Sequence, residues 1–300
     1  MLLNKLHSSL PDTNIKENWP LSSLTTLGTG GTAEFFVSPS SPEELCEILQ
    51  AFKGCPVHVL GGGSNVLIPD GLTPGLVIST RKMNSISWLG IRTAEIGAGY
   101  SLPVLLKEVC SHGLGGLEFA AGIPGTLGGA VCGNAGAGGL GVCELVDSVK
   151  AVDPSGSVRT LGRDEFSYGY RRCSLSGMGL VIVSVIMTFR DARHGDEEEY
   201  SRFMLKRENQ PLNARSAGCT FKNPEGYSAG KLLDECGCKG LSVGGAVVSD
   251  KHANFILNTG NASSSDVLEL ARLCAQKVHE LAGVVLEPEI RTLQPCFFLS

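Results

Sequence analysis

Apolar residues recur at helical spacing over residues 41–53, where Leu45, Ile48, Leu49 and Phe52 fall on one face. Ser41 and Glu44 form the capping-box pair that begins such a helix, and Pro42 suits its first turn. The pattern then shortens to an apolar strand at 56–60 that runs into Gly61, Gly62, Gly63, Ser64 and Asn65. A turn at Pro74 and Gly75 precedes a further apolar run at 76–78, so the N-terminal region reads as α/β. Strand-like runs at 94–96, 148–152 and 180–189 frame a helix at 103–111, stopped by Gly113. The stretch 180–187 is apolar except for Ser184, the pattern of a strand covered on both faces, and is expected at the centre of a sheet. Residues 196–209 predict a helix with a solvated acidic start, with Lys206 and Arg207 near its end and Pro211 beyond it.

After Pro211 the pattern changes. One helix places Ala229, Leu232, Leu233 and Cys236 on one face, and a second does the same with Val267, Leu270, Ala271, Cys274, Val278 and Leu281 before Gly283 closes it. The glycine-containing, strand-like stretch 241–257 lies between them, which makes residues 212–286 a candidate α+β unit of their own.

Composition narrows the classes. With 300 residues, 42% of them hydrophobic, the chain can bury one large core or two to three smaller ones. A net charge of -5 leaves no broad basic face, which argues against a nucleic-acid partner. The longest mostly apolar run, 180–189, falls far short of the roughly 20 residues that span a bilayer, and no signal-peptide core precedes it. A cytoplasmic, membrane-free protein is expected. The 11 cysteines are odd in number and scattered, which suits free thiols in a reducing compartment. Cys236 and Cys238 form the one close pair; no matching second pair accompanies them, so no metal site is expected and Cys236 is assigned to a helix interior.

The 39 glycines concentrate at 28–31, 61–63 and 122–141. Backbone without side chains can take positive φ, approach a ligand closely and present N–H groups to an anion. The first loop that follows a strand, Gly61 to Asn65, is succeeded by Val66, Leu67, Ile68 and Pro69, so neither a Rossmann turn nor a P-loop is present. Taken alone it fits a structural turn as well as a phosphate cradle. A serine-hydrolase elbow at Ser64 is excluded because Val66 stands where glycine is required. The second loop, residues 122–136, is too long and too rich in small residues for a simple connection, and two such loops suggest a large phosphate-bearing cofactor.

The ordered motifs GGGSN, AGIPGTLGGAVCGNAG, YGYRR, SAGCTFKNPEG and LEPEIR, spread over residues 25–293, closely resemble the UDP-N-acetylenolpyruvoylglucosamine reductase family. The resemblance implies the FAD-binding fold of the vanillyl-alcohol oxidase type: an α+β molecule with two α/β subdomains around the flavin and a C-terminal substrate domain. The implied division is 1–82, to which the tail 287–300 returns, then 83–208, then 209–286. It also implies reduction of an enolpyruvyl ether on a UDP-sugar, with FAD and NADPH as cofactors, by an enzyme expected to be a monomer. By resemblance, FAD contacts come from Gly61, Gly62, Gly63, Ser64, Asn65, Gly122, Ile123, Pro124, Gly125, Thr126, Gly129, Asn134 and Gly136. Arg207 and Arg291 are further candidates, each with a surface ion pair as the plainer alternative.

The motifs match the family's catalytic positions at Arg171, Cys219 and Glu289. Arginine is an always-charged fork suited to a carboxylate, and can stabilise an enolate-like intermediate. Glu289 beside a developing anion is expected to have a raised pKa. Cys219 departs from the serine of many relatives; a thiol, with an ordinary pKa of about 8.5, is mostly protonated at neutral pH and is a stronger acid than a hydroxyl. Tyr170 and Asn223 are implied substrate contacts, with Lys222, Lys231, Lys251 and Asn254 as further donors and His252 as a structural histidine. Only 47 residues lie between Arg171 and Cys219, which leaves no room for the tyrosine-bearing lid segment of some relatives. The alternatives are another FAD oxidase of the same fold, a cysteine hydrolase using Cys219, His252 and Asn254, and a nucleotide-sugar binding module without redox activity.

Overall fold

The computed structural model of the protein describes residues 14–298. Its first sheet has the order Lys16–Pro20, Thr32–Val37, Leu72–Ser79, Pro56–Leu60, Phe297–Phe298. The three inner strands run parallel, and the outer two are antiparallel to their neighbours. Helix α1 (Pro42–Ala51) connects two of the parallel strands and buries Leu45, Ile48 and Leu49. Ser41 Oγ accepts from Glu44 N, as its capping role predicts. The Glu44 carboxylate, however, takes the N–H and hydroxyl of Ser40 at 2.7 and 2.9 Å.

Pro74 and Gly75 do not form a turn between elements. They lie inside Leu72–Ser79, where the register against Thr32–Val37 shifts between Ala33 and Phe35. Gly75 takes φ +83° and donates to the Glu34 carboxylate at 2.7 Å. The irregularity absorbs the proline's missing N–H, so the strand continues.

The second sheet is antiparallel, in the order Val158–Gly162, Val146–Val152, Val181–Thr188, Thr93–Gly97, Ile86–Trp88. The apolar strand Val181–Thr188 lies at its centre because it serves two cores. Val181 and Val183 pack with the first sheet and α1, while Ile182, Val185 and Met187 pack with helix α2 (Leu102–Ser111). The second glycine segment is not a loop throughout. It contains helix α3 (Leu127–Gly133), which burial of Leu127, Ala130 and Val131 stabilises despite a glycine content that reads as non-helical; Asn134 ends it in the left-handed region.

Helix α4 (Asp196–Glu208) has an acidic start that is pinned rather than simply solvated. Arg190 holds Asp196 through contacts at 2.8 and 2.7 Å and also reaches the buried Glu118 at 3.1 Å.

The C-terminal sheet, Ser216–Cys219, Phe255–Asn258, Ala246–Val248, Ser242–Val243, is antiparallel. Helices α5 (Ala229–Glu235) and α6 (Ser264–Ala282) cover it and close a separate apolar cluster. Leu281, assigned from its spacing to the inner face of α6, is exposed because the last turn overhangs the cluster. All 11 cysteines are free, Cys236 is buried as expected, and no helix among the described residues is long and apolar enough to cross a membrane.

Candidate active site

Four apolar clusters surround a cavity of about 1260 Å³. Pockets for drug-sized ligands hold roughly 300–1,000 Å³, so an extended dinucleotide and part of a second molecule can share this one. Gly61 to Asn65 and the segment from Gly122 to Gly136 line it from facing sides. They meet backbone to backbone: a Cβ on Gly62 would stand 2.6 Å from Gly125 Cα. Gly62 N–H donates to Thr126 Oγ1 at 3.1 Å, and Ser64 Oγ donates to Pro124 O at 3.3 Å. On α3, a Cβ at Gly133 would meet nothing within 4 Å. Glycine there leaves open the volume a flavin nucleotide requires, so these residues fit FAD.

Arg171 sits in the tight turn of a hairpin whose strands are Tyr168–Gly169 and Arg172–Cys173. It adopts φ +54°, a left-handed conformation that costs energy in a non-glycine residue and is concentrated at functional sites. Asn134 holds the turn: its side-chain N–H donates to Gly169 O at 3.0 Å and its oxygen accepts from Cys143 N at 3.1 Å. Arg171 Nη1 donates to Gly136 O at 2.8 Å. Its Nε lies 2.6 Å from Glu289 Oε1 but off the N–H direction, so the contact is an ion pair rather than a well-formed hydrogen bond.

Glu289 reaches this position because its N–H donates to Thr220 O at 2.8 Å, which ties the C-terminal segment to the chain just after Cys219. Burial pushes the Glu289 carboxyl above its usual range, against the pull of Arg171. Burial thus acts on this carboxyl before any substrate anion develops, a cause distinct from the one expected in a substrate complex. Burial likewise pushes the Cys219 thiol up to about 11, aided by the charge of Glu289 and opposed by Arg171 and Arg207. The group can therefore hold a proton on sulfur while presenting a cation to an anion.

Of the other candidates, Tyr170, Asn223, Asn254, His252, Arg207 and Arg291 line the cavity. Arg207 Nε donates to Ala121 O, and Arg291 Nη2 to Cys132 O at 3.2 Å; neither forms an ion pair among the described residues. Tyr170 Oη accepts from Asn223 N at 3.5 Å. Asn254 is buried, with its amide committed to Phe221 N at 2.9 Å and Phe221 O at 2.8 Å. It shapes the backbone after Cys219, and its Nδ2 has a second N–H beyond the one given to Phe221 O. The structure does not bring Lys222 or Lys231 to the cavity: they pair with Glu287 and Glu235 at 3.1 and 3.6 Å. Lys251 lines a smaller adjoining depression. His252 Nδ1 accepts from Asn254 N at 3.2 Å, and burial lowers its pKa. Pattern reading missed Arg81, which bonds Gly61 O and Gly62 O; a lone arginine after a strand carries no local signal.

Residues 33–162 match an FAD-binding domain family, and residues 210–293 match the C-terminal domain of UDP-N-acetylenolpyruvoylglucosamine reductase. The UDP-N-acetylenolpyruvoylglucosamine reductase of Moorella thermoacetica is 44% identical over 278 residues, 91% of each chain. The chain belongs to the UDP-N-acetylenolpyruvoylglucosamine reductase family. A second reductase of this name, from Synechococcus, is 39% identical over 93% of each chain. The crystal structure of the Thermus caldophilus reductase superposes with a TM-score of 0.80 at 35% identity, covering 94% of this chain and 99% of the other. A Physcomitrella patens BBE-like protein aligns at a TM-score of 0.50 and 16% identity, over 64% of this chain and 44% of its own, and shares the fold alone. The fold is the FAD-binding fold of the vanillyl-alcohol oxidase type. Family membership leaves the hydrolase and the non-redox binding module without support.

Proposed function

We propose that the protein reduces the enolpyruvyl ether of UDP-N-acetylglucosamine enolpyruvate to UDP-N-acetylmuramate, using NADPH and FAD, in cytoplasmic synthesis of peptidoglycan precursors. The observation that carries this reading is the Arg171–Glu289 ion pair, 2.6 Å long, grouped with Cys219 on a cavity that the glycine loops share with the C-terminal domain. The two glycine segments would hold FAD, which, once reduced by NADPH, would supply hydride for the terminal enolpyruvyl carbon. Arg171 binds the substrate carboxylate, where negative charge grows, and the planar guanidinium fork suits that task. Glu289 keeps the fork oriented through Nε. Cys219 gives its proton to the carbon next to the carboxylate; a thiol held protonated up to about pH 11 is available as an acid throughout the neutral range.

The glycine loops are the proposed FAD contacts, and Tyr170 and Asn223 the proposed sugar contacts. The units 1–82 with 287–300, 83–208 and 209–286 are the proposed domains; the two separate five-stranded sheets, the distinct C-terminal sheet and the pairing of Phe297 with Val57 favour this division. A monomer without a nucleic-acid partner completes the proposal.

Anaerobic absorbance spectroscopy tests it. NADPH should bleach the flavin, and adding the enolpyruvyl sugar should restore its colour. In Cys219→Ala the first step should survive while the second slows by on the order of 100- to 10,000-fold, and Cys219→Ser should keep activity. Bleaching that the sugar does not reverse in the unmodified protein would remove the substrate assignment; normal turnover by Cys219→Ala would remove the acid role.

A further inference from the structure

Arg81 follows the strand Leu72–Ser79 and lies half-buried behind the first glycine loop. Its guanidinium donates to three backbone carbonyls: Nε to Gly61 O at 3.1 Å, and Nη2 to Gly62 O at 2.8 Å and Leu24 O at 2.6 Å. It forms no ion pair among the described residues, and burial is the one influence on its charge. The next carbonyl, Gly63 O, accepts from Thr26 N at 3.0 Å and Thr26 Oγ1 at 3.4 Å.

These bonds dictate where the loop's N–H groups point. No peptide among the described residues is cis, and in a trans peptide the N–H is directed opposite to the C=O of the same unit. Drawing the carbonyls of 61, 62 and 63 backwards therefore turns the N–H groups of Gly62, Gly63 and Ser64 forwards. Forwards is the cavity, which all three residues line. Gly62 N–H meets Thr126 Oγ1, whereas those of Gly63 and Ser64 have no partner among the described residues. Gly63 takes φ +66°, and a Cβ there would stand 2.0 Å from Leu24 O, so only glycine fits this conformation of the loop.

We infer that Arg81 is a positioning residue for the anionic part of the flavin nucleotide. It grips the 61–63 loop from behind so that successive free N–H groups face a diphosphate, and its unpaired positive charge finds its counter-ion in that bound anion. A half-buried cation without an anion is costly, and the cost falls when a diphosphate sits across one thickness of backbone. Lysine cannot replace it fully: an ammonium group carries the charge but lacks the planar fork that spans separate carbonyls. The inference deepens the FAD-binding assignment and needs no particular sugar.

The test uses flavin-free protein as unmodified chain, Arg81→Lys and Arg81→Met. FAD binding is followed by flavin fluorescence, with inorganic pyrophosphate as competitor, and each apoprotein is melted separately. In Arg81→Met the Kd for FAD should rise on the order of 10- to 100-fold, as expected for loss of charge-assisted hydrogen bonds. The pyrophosphate inhibition constant should rise in parallel, the salt dependence of binding should become shallower, and the apoprotein should melt as the unmodified one does. Arg81→Lys should fall between, and it decides the matter if Arg81→Met does not fold. An unchanged Kd for FAD overturns the inference. So does weaker FAD binding with an unchanged pyrophosphate constant, or weaker binding that merely follows a lowered apoprotein melting temperature. Whether the enolpyruvyl sugar reoxidises the flavin is read in a separate experiment, so a wrong substrate assignment leaves this result intact.

Discussion

At the scale of single residues, burial governs the chemistry more than charge pairing does. Cys219 is flanked by Arg171 and Arg207, both of which favour a thiolate, yet burial and the Glu289 charge outweigh them and put its pKa at about 11. Alkylation requires the thiolate, so iodoacetamide should modify Cys219 slowly at pH 8 and faster as pH approaches 11. Mass spectrometry of the labelled peptide at several pH values measures this; a plateau reached by pH 8 would contradict the buried, proton-bearing thiol. The sign for stability follows from the same shift. The folded chain holds this proton more tightly than the unfolded chain, whose thiol has an ordinary value of about 8.5. The stability it contributes is fully present below that value and is lost as pH rises through about 11.

At the scale of elements, α6 has its own cap, Ser263 with Asp266, and a second one from a different part of the chain. Asp70 accepts from Ser264 N and Ser265 N at 2.9 Å and from Ser265 Oγ at 2.7 Å, while Ser264 Oγ donates to Ile68 O at 2.6 Å. A carboxylate at a helix N-terminus satisfies orphan donors and complements the dipole. Burial raises the Asp70 pKa, but the hydrogen bonds from Ser264 and Ser265 outweigh it and hold the carboxyl below its usual range. Asp70→Ala should therefore lower stability by about 1 kcal/mol near pH 7, discounted for its exposed side. Because the folded pKa is depressed, this contribution is fully present above the unfolded value of about 3.9, shrinks below it, and is lost as pH falls through the lower folded value. Urea midpoints of both proteins at pH 7 and pH 3 check the prediction; an equal gap at both would show that the charge is not what caps the helix.

At the scale of the whole molecule, the large cavity lies where the clusters face one another, and the walls are tied across it by few bonds. Asn258 Nδ2 donates to Leu27 O at 3.0 Å and Thr26 Oγ1 to Ser216 O at 2.6 Å, which fasten the C-terminal sheet to the N-terminal region. A ligand that fills the gap and binds the folded state alone adds stability by mass action, about 2.7 kcal/mol at 100 times its Kd. For a chain of this size that corresponds to a melting temperature roughly 5 °C higher with saturating FAD than without it. Calorimetry on flavin-free and reconstituted protein provides the comparison, and coincident melting curves would mean that the cavity walls gain nothing from the nucleotide.

The sequence by itself determined the strands and helices whose periodicity is strong, such as Val181–Thr188 and α1, because apolar spacing and capping residues act locally. Through its ordered motifs it also pointed to the family and to Arg171, Cys219 and Glu289 as one candidate group. Elements whose stability comes from distant neighbours were not legible. α3 forms in a glycine-rich stretch because its few apolar residues are buried by the second sheet's core, and Pro74 stays in a strand because a register shift opposite it removes the need for its N–H. The roles of polar side chains were likewise decided only by tertiary structure. Asn254 bonds the backbone of Phe221, 33 residues away, and the Asn134 Nδ2 donates to Gly169 O, 35 residues away. Arg81 meets the loop it orients 19 to 20 residues back along the chain. Hydrogen bonds between residues so far apart leave no periodic trace, since it is chain folding that sets which donor finds which acceptor.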